Sequence, residues 1–376
     1  MNPVSLSRLD YVRGLSLAVF ACAVAHAGCK SDSSAGDNEA SLADVCDGPI
    51  ADSGPVDGAP DCGAESIATN QLPDKLSCTG LYSNIKKKEL GDRTREYTPA
   101  HVLWSDGAEK YRWIYLPECQ KIDTSDPESW IFPIGTRLFK EFNWKGHRVE
   151  TRVFWKIADN RWLKAAYHWN DDETEATRFA GGDVDVAGDS YYIPSAKECD
   201  QCHKGRLDRA LGFEQILLGL EGAEGLTLHK LIVEDRLTDP PKDLDYSLGD
   251  DGTGKSAAAL AYMHVNCGIS CHNGNSASEG YSSDLRLRLP VTALDGRSPK
   301  KFEPYTTTIQ VGATTPRWSD RVRIVPGSPE DSLLYTLITT RDPASPKDQM
   351  PPVASRVVDE EGVKAIKAWI KSLPAK

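Results

Sequence analysis

Alternation of apolar and polar positions marks the chain from about Leu72 to Pro194. It predicts strands over Tyr111 to Leu116, Trp130 to Phe132, Thr136 to Trp144, Arg148 to Ile157 and Trp162 to Trp169. Lys145-Gly146, between the third and fourth of these, supplies the tight turn of a hairpin. Most of the nine tryptophans fall in or beside this stretch. Aromatic and β-branched side chains suit a half-buried pleated surface, so the expectation over 72–195 is a β-sandwich or barrel-like domain whose aromatics form its core.

After Pro194 the pattern changes to helical spacing. Ser195 with Glu198 has the form of a capping box that starts a helix just before Cys199, and Ala210 to Leu220 and Leu228 to Leu237 predict two more short helices. Asp239-Pro240-Pro241-Lys242 closes this helical segment, 196–242, as a linker. In 243–376, Ala257 to Val265 predicts an apolar helix running into Cys267. Ser328-Pro329-Glu330-Asp331 has the form of a capping box opening Leu333 to Thr339. Asp359 caps a last helix in which Val363, Ile366, Ile370 and Leu373 share one stripe, while Lys364, Lys367 and Lys371 face water near its negative end. The expected fold class is α+β, a β-rich domain followed by an all-α domain.

The first residues change the picture of where this happens. Arg8 and Arg13 precede a run from Gly14 to Ala25 that is almost wholly apolar, followed by small residues, which is the form of a secretory signal over 1–28. Ala25-His26-Ala27 fits release of a soluble protein, whereas Ala27-Gly28-Cys29 resembles a bacterial lipobox that leaves Cys29 lipidated. The ten cysteines favour the second reading. Cys22 lies inside the signal and four others belong to the strings below, so Cys29, Cys46, Cys62, Cys78 and Cys119 remain. An odd thiol in an exported protein needs an explanation. With Cys29 lipidated, Cys46 with Cys62 and Cys78 with Cys119 are available as disulfides, although four cysteines allow three connectivities. Residues 29–71, rich in Ser, Ala, Gly, Asp and Pro, read as a disordered acidic tether. The net charge of −11 argues against a nucleic-acid partner, and membrane attachment rests on Cys29 alone.

Two strings carry chemistry. Cys199-Asp200-Gln201-Cys202-His203 is C-x-x-C-H, the pattern of covalent haem attachment: each thiol adds to a vinyl group and the adjacent His comes under the iron. A short-range disulfide or half a zinc site are the blander readings. Free vicinal thiols are at risk of oxidation outside the cytoplasm, and zinc wants a second pair nearby. Cys267-Gly268-Ile269-Ser270-Cys271-His272 keeps the terminal Cys-His with one extra residue between the thiols, so two haems are expected. For the sixth ligand of the first haem, His229 leads, with Met263, His264 and His168 behind it. Gly249 to Ser256 matches a phosphate-loop spacing. No apolar strand precedes it, however, and Asp250 and Asp251 repel phosphate, so it reads as a linker.

A helix into Cys267, an irregular loop, a helix, Met350-Pro351-Pro352 and a terminal helix form an order that resembles a class I cytochrome c domain, over about Lys255 to Pro374. That resemblance implies Met350 as the sixth ligand of the second haem. More broadly, Leu103-Trp104-Ser105-Asp106-Gly107-Ala108-Glu109-Lys110, the string at Cys199, His264-Val265-Asn266-Cys267 and Gln349-Met350-Pro351-Pro352 resemble a family of exported bacterial haem-motif proteins. Its members have a β-rich front half and a cytochrome-like back half. The resemblance implies export and haem binding and brings no substrate. The expected function is electron transfer to or from a redox protein or a small-molecule donor or acceptor, by an outer-membrane lipoprotein facing the periplasm or a soluble periplasmic protein, with the β-rich part as docking module. The alternatives are a haem enzyme (a peroxidase or small-molecule oxidoreductase) and a non-haem binding protein held by disulfides.

Overall fold

The computed structural model describes Cys62 and residues 71–242, 246–342, 344–353 and 355–375. The expected signal, Cys29, Cys46 and nearly all of the expected tether lie outside the described residues.

Ten strands precede the first motif. They are β1 (Tyr82–Asn84), β2 (Glu89–Leu90), β3 (Thr94–Thr98), β4 (Glu109–Tyr115), β5 (Arg137–Trp144), β6 (His147–Ala158), β7 (Arg161–Trp169), β8 (Ala176–Phe179), β9 (Gly182–Val186) and β10 (Asp189–Ile193), and β11 (Glu224–Gly225) follows that motif. Among the described residues neither a sandwich nor a barrel forms. β3 to β8 run as an antiparallel meander, β11 adds to the β3 edge, and the result is one open seven-stranded sheet, with β1–β2 and β9–β10 as separate ribbons. The predicted hairpin is present: Trp144 pairs with His147, and Lys145 and Gly146 both adopt positive φ, 52° and 83°, as a two-residue turn between right-twisted strands requires. Trp130 to Phe132 is not a strand; a single bridge joins Asp123 to Ile131.

A sandwich is unnecessary because both faces of the sheet are covered by other means. Side chains alternate across the pleat. Trp113, Phe139, Val153 and Ala165 stand in register on one face and pack with Leu76, Leu81 and Tyr82 from the preceding chain. Ile114, Leu138 and Phe154 stand in register on the other, against Phe213, Leu218, Leu228 and Leu231 from the segment after the first motif.

That segment contains α1 (Ala196–His203), α2 (Gln215–Gly219) and α3 (Leu228–Val233). α2 and α3 are shorter than their apolar runs predict, because Arg209, Gly212 and Asp235 turn to positive φ. α2 is shared between two cores, with Leu218 toward the sheet and Ile216 and Leu217 toward a third cluster around Leu260, Met263, Ile324, Ile366, Trp369 and Ile370. This last cluster is built by α4 (Ser256–Met263), α5 (Leu333–Thr339) and α6 (Glu360–Ser372). Asp359 caps α6 by accepting from Gly362 N at 3.0 Å. The capping box expected at Ser328 does not form: Ser328 Oγ donates to Asp331, and α5 begins at Leu333 with no side-chain cap. In the phosphate-loop look-alike, Asp250 accepts from Gly252 N and Gly254 N, so the loop's own donors are turned onto its own carboxylate.

The disulfide expectation is corrected. Cys62 pairs with Cys78, so neither the Cys46 to Cys62 nor the Cys78 to Cys119 pairing holds; Cys119 is also disulfide-bonded. Among the described residues no helix is long and apolar enough to cross a membrane.

Candidate functional site

Ser195 starts α1 directly after β10. Its Oγ accepts from Glu198 N, and Ser195 N donates to Glu198 Oε2 at 2.9 Å, completing the predicted capping box. The cap fixes where α1 begins and so sets Cys199, Cys202 and His203 on its last turns. Lys164 of β7 holds Asp200 in an ion pair, and the His203 ring stacks on Phe154 of β6 with centroids 4.1 Å apart. His203 Nδ1 lies 2.6 Å from Arg209 O. A carbonyl can only accept, so Nδ1 carries the proton and Nε2 keeps its lone pair, the tautomer a metal-binding imidazole needs. Burial lowers the basicity of His203 to a pKa of about 3, which keeps the ring neutral.

The second string is reached through α4. Its end widens into a π-type turn over His264–Gly268, with Ile269 N bonding His264 O at 2.9 Å and His272 N bonding Cys267 O at 2.8 Å. This i to i+5 bonding absorbs the residue inserted between Cys267 and Cys271 and keeps both on one continuous turn. His272 is buried, its Nδ1 lies 3.2 Å from Ser283 Oγ, and burial lowers its pKa to about 4.

The two strings meet. Cys202 shares a side-chain hydrogen bond with Cys271, which raises Cys202 and lowers Cys271, making Cys271 the more acidic thiol of the pair. A Cβ at Gly205 would come within 1.9 Å of Ser270 O, so only glycine permits this approach. All four cysteines are free, and burial raises Cys199, and Cys267 to about 12.

Cys199, Cys202, His203, Cys267, Cys271, His272 and Met350 all line one cavity of about 1230 Å3. Met350 reaches it from a loop held at both ends. Met350 N bonds Leu337 O at 2.9 Å, and Gln349 Nε2 donates to Pro351 O and Ser355 O at 3.0 and 2.9 Å. The Leu103 to Lys110 string ties the same walls together. Trp104 N donates to Asn266 Oδ1 at 2.7 Å, Trp104 Nε1 donates to Val357 O at 3.0 Å, and Asp106 accepts from Arg356 N and Val357 N. The four strings that stand apart in sequence therefore surround one space.

His229 does not belong to it. It is exposed on α3 and away from the cavity. Met263 is buried in the helical core, and His168 does not line the cavity. Both ring nitrogens of His264 are engaged, Nε2 with Glu214 Oε1 at 2.8 Å and Nδ1 as acceptor from Leu289 N at 3.0 Å. The third imidazole on the wall, besides His203 and His272, is His101, which no sequence pattern singled out. The β-sheet supplies Arg112, Lys140 and Arg152 to the same wall, a contribution invisible before the register is known.

Among the described residues no three or more His, Cys, Asp or Glu side chains converge to hold a metal ion. A haem brings four iron ligands of its own and would need only one or two of the side chains on this wall. No protein-family profile, curated protein or solved structure matches the chain.

Proposed function

We propose that the protein is an exported c-type cytochrome with two haems, which carries electrons to or from a redox protein or a small-molecule donor or acceptor. The observation that carries this reading is the convergence of both Cys-His strings and Met350 on one cavity of about 1230 Å3. That space exceeds the ~300–1,000 Å3 that serves one small ligand. When bound there, haem supplies one-electron transfer at iron. Cys199 and Cys202 attach the first group, and Cys267 and Cys271 the second. His203 and His272 offer Nε2 as proximal ligands, each with Nδ1 against a protein oxygen. Met350 would help to hold the iron of one group, and His/Met ligation raises the potential and favours electron transfer over oxygen chemistry. The sheet does more than dock a partner, because Phe154 and Leu138 form apolar wall that keeps water from the groups held there. A reduced pyridine spectrum of periplasm-matured protein should show a c-type band. A colourless protein with Cys202 and Cys271 joined as a disulfide would sink the proposal.

His101 would take the place of His229 as the further ligand of the first haem in this reading, since it lines the cavity and His229 does not. His101→Ala is expected to convert a low-spin signal to high spin and open that iron to carbon monoxide, while His229→Ala leaves the spectrum unchanged. The reverse pattern would return the role to His229. A wild-type protein already high-spin at one iron, reacting rapidly with peroxide, would favour the haem-enzyme alternative.

Membrane attachment rests on Cys29. Cys29→Ser should move the protein from the membrane fraction to the soluble periplasm; unchanged partitioning would refute the lipid anchor, and a wild-type protein already in the soluble periplasm would leave the Ala25-His26-Ala27 cleavage.

A further inference from the structure

Arg112, Lys140 and Arg152 stand side by side on three adjacent strands. Arg112 pairs with Lys140 across β4 and β5, and Lys140 with Arg152 across β5 and β6. All three line the cavity. Like charges directly opposite on a sheet repel, and a cation taken from water without a counter-charge costs several kcal/mol more.

Only one of the three is compensated. Arg152 forks onto Glu150, with Nη2 to Oε1 at 2.6 Å and Nε to Oε2 at 2.9 Å, and Glu150 is fully buried. Among the described residues the buried Arg112 donates only to Lys110 O, at 3.4 Å. Lys140 Nζ lies over the Phe142 ring, 5.0 Å from its centre, and has no hydrogen-bond or ion-pair partner among the described residues. Of the other basic groups on the cavity wall, Lys347 is exposed to solvent and the arginines are already answered. Arg317 and Arg356 pair with Asp348 and Asp183, and Arg323 and Arg341 bond backbone carbonyls. The acids on the wall are engaged elsewhere: Glu198 with Ser195 and Tyr192, Asp106 with backbone N–H groups, and Glu279 with Lys204. Arg112 and Lys140 thus leave an unanswered pair of positive charges at the sheet side of the cavity, beside the first motif.

We infer that Arg112 and Lys140 form a carboxylate seat, filled by the propionates of a haem in the cavity or by a free organic dianion. The first source rests on the haem reading above; the second does not. Burial first, then Arg112, Lys110 and Arg152, hold Lys140 well below its ordinary pKa, a cost that an anion in the seat relieves. Guanidinium and ammonium groups are the side chains that bind carboxylates through charge-assisted hydrogen bonds.

The test compares wild-type holoprotein with Lys140→Met and Lys140→Arg, measuring midpoint potentials with and without succinate. If propionates fill the seat, Lys140→Met lowers one of the two midpoints, because a cation that disfavours the ferric state is gone. Lys140→Arg stays near wild type, and succinate changes nothing. If a free dianion fills it, succinate shifts the wild-type midpoint, and Lys140→Met weakens that binding by about tenfold or more. Midpoints unmoved by Lys140→Met, together with no response of the wild type to succinate, overturn the seat. Failure of the haem reading shows separately, as absence of a c-type band; succinate binding to that haem-free protein is then followed by calorimetry, and no binding there also overturns the seat.

Discussion

Intact mass of protein matured in the periplasm is expected to exceed that of the processed chain by two haems. Replacing Cys199 and Cys202 with Ala should remove one addition, and replacing Cys267 and Cys271 should remove the other. The second site is the less regular. Its inserted residue is taken up by the π-type turn at His264–Gly268, so Cys267, Cys271 and His272 remain on one continuous turn facing the cavity. Met350→Ala should leave both groups attached while perturbing one of two spectral components, since the thioethers do not depend on the axial ligand. A single haem that maps to the peptide containing Cys199 and Cys202 would show that Cys267 and Cys271 do something else, most simply a disulfide.

The sheet strands, the start of α1 and the terminal helix were legible because each depends on local pattern. Alternation gives β4 to β7, Ser195 with Glu198 gives the cap, and the stripe from Val363 to Leu373 gives α6. What was not legible depends on long-range pairing. Whether a meander closes into a barrel depends on what covers its faces, and the covering residues, Leu76 and Leu81 on one side and Phe213 and Leu231 on the other, lie far from the strands in sequence. The Cys62 to Cys78 bond is a choice among connectivities that spacing does not make. At the site, the motif residues were readable because Cys and His stand together there in short strings. His101 and the row of Arg112, Lys140 and Arg152 were not, because register and the long-range packing of the cavity walls bring them there. His229 is near the first motif in sequence, but α3 presents it to solvent.

Asp208→Ala is expected to cost about 3–5 kcal/mol of folding stability, a large part of the ~5–15 kcal/mol available to a domain. Asp208 is nearly inaccessible and accepts four hydrogen bonds: Phe132 N at 2.6 Å, Lys156 Nζ at 2.7 and 2.9 Å, and Trp162 Nε1 at 3.0 Å. Lys156 is 1 % exposed, and among the described residues its ammonium donates, apart from Asp208, only to Phe132 O, at 2.7 Å. Truncating the carboxylate leaves that ammonium buried without a counter-charge and two N–H donors unpaired. Asp208→Asn keeps the size and much of the hydrogen bonding but not the charge, so it should fall between wild type and Ala. Lys156→Met added to Asp208→Ala should recover much of the loss, because replacing both members of a buried pair costs far less than removing one. Urea unfolding of these four proteins and of Lys156→Met alone checks this; a loss under about 1 kcal/mol for Asp208→Ala, or strictly additive losses in the double variant, would contradict it. The consequence extends to the site. Asp208 pins the loop to the sheet immediately before Arg209, whose carbonyl holds His203 Nδ1, so Asp208→Ala should also weaken the field at the first iron and broaden its spectral component, while Met350 and the second component stay unchanged.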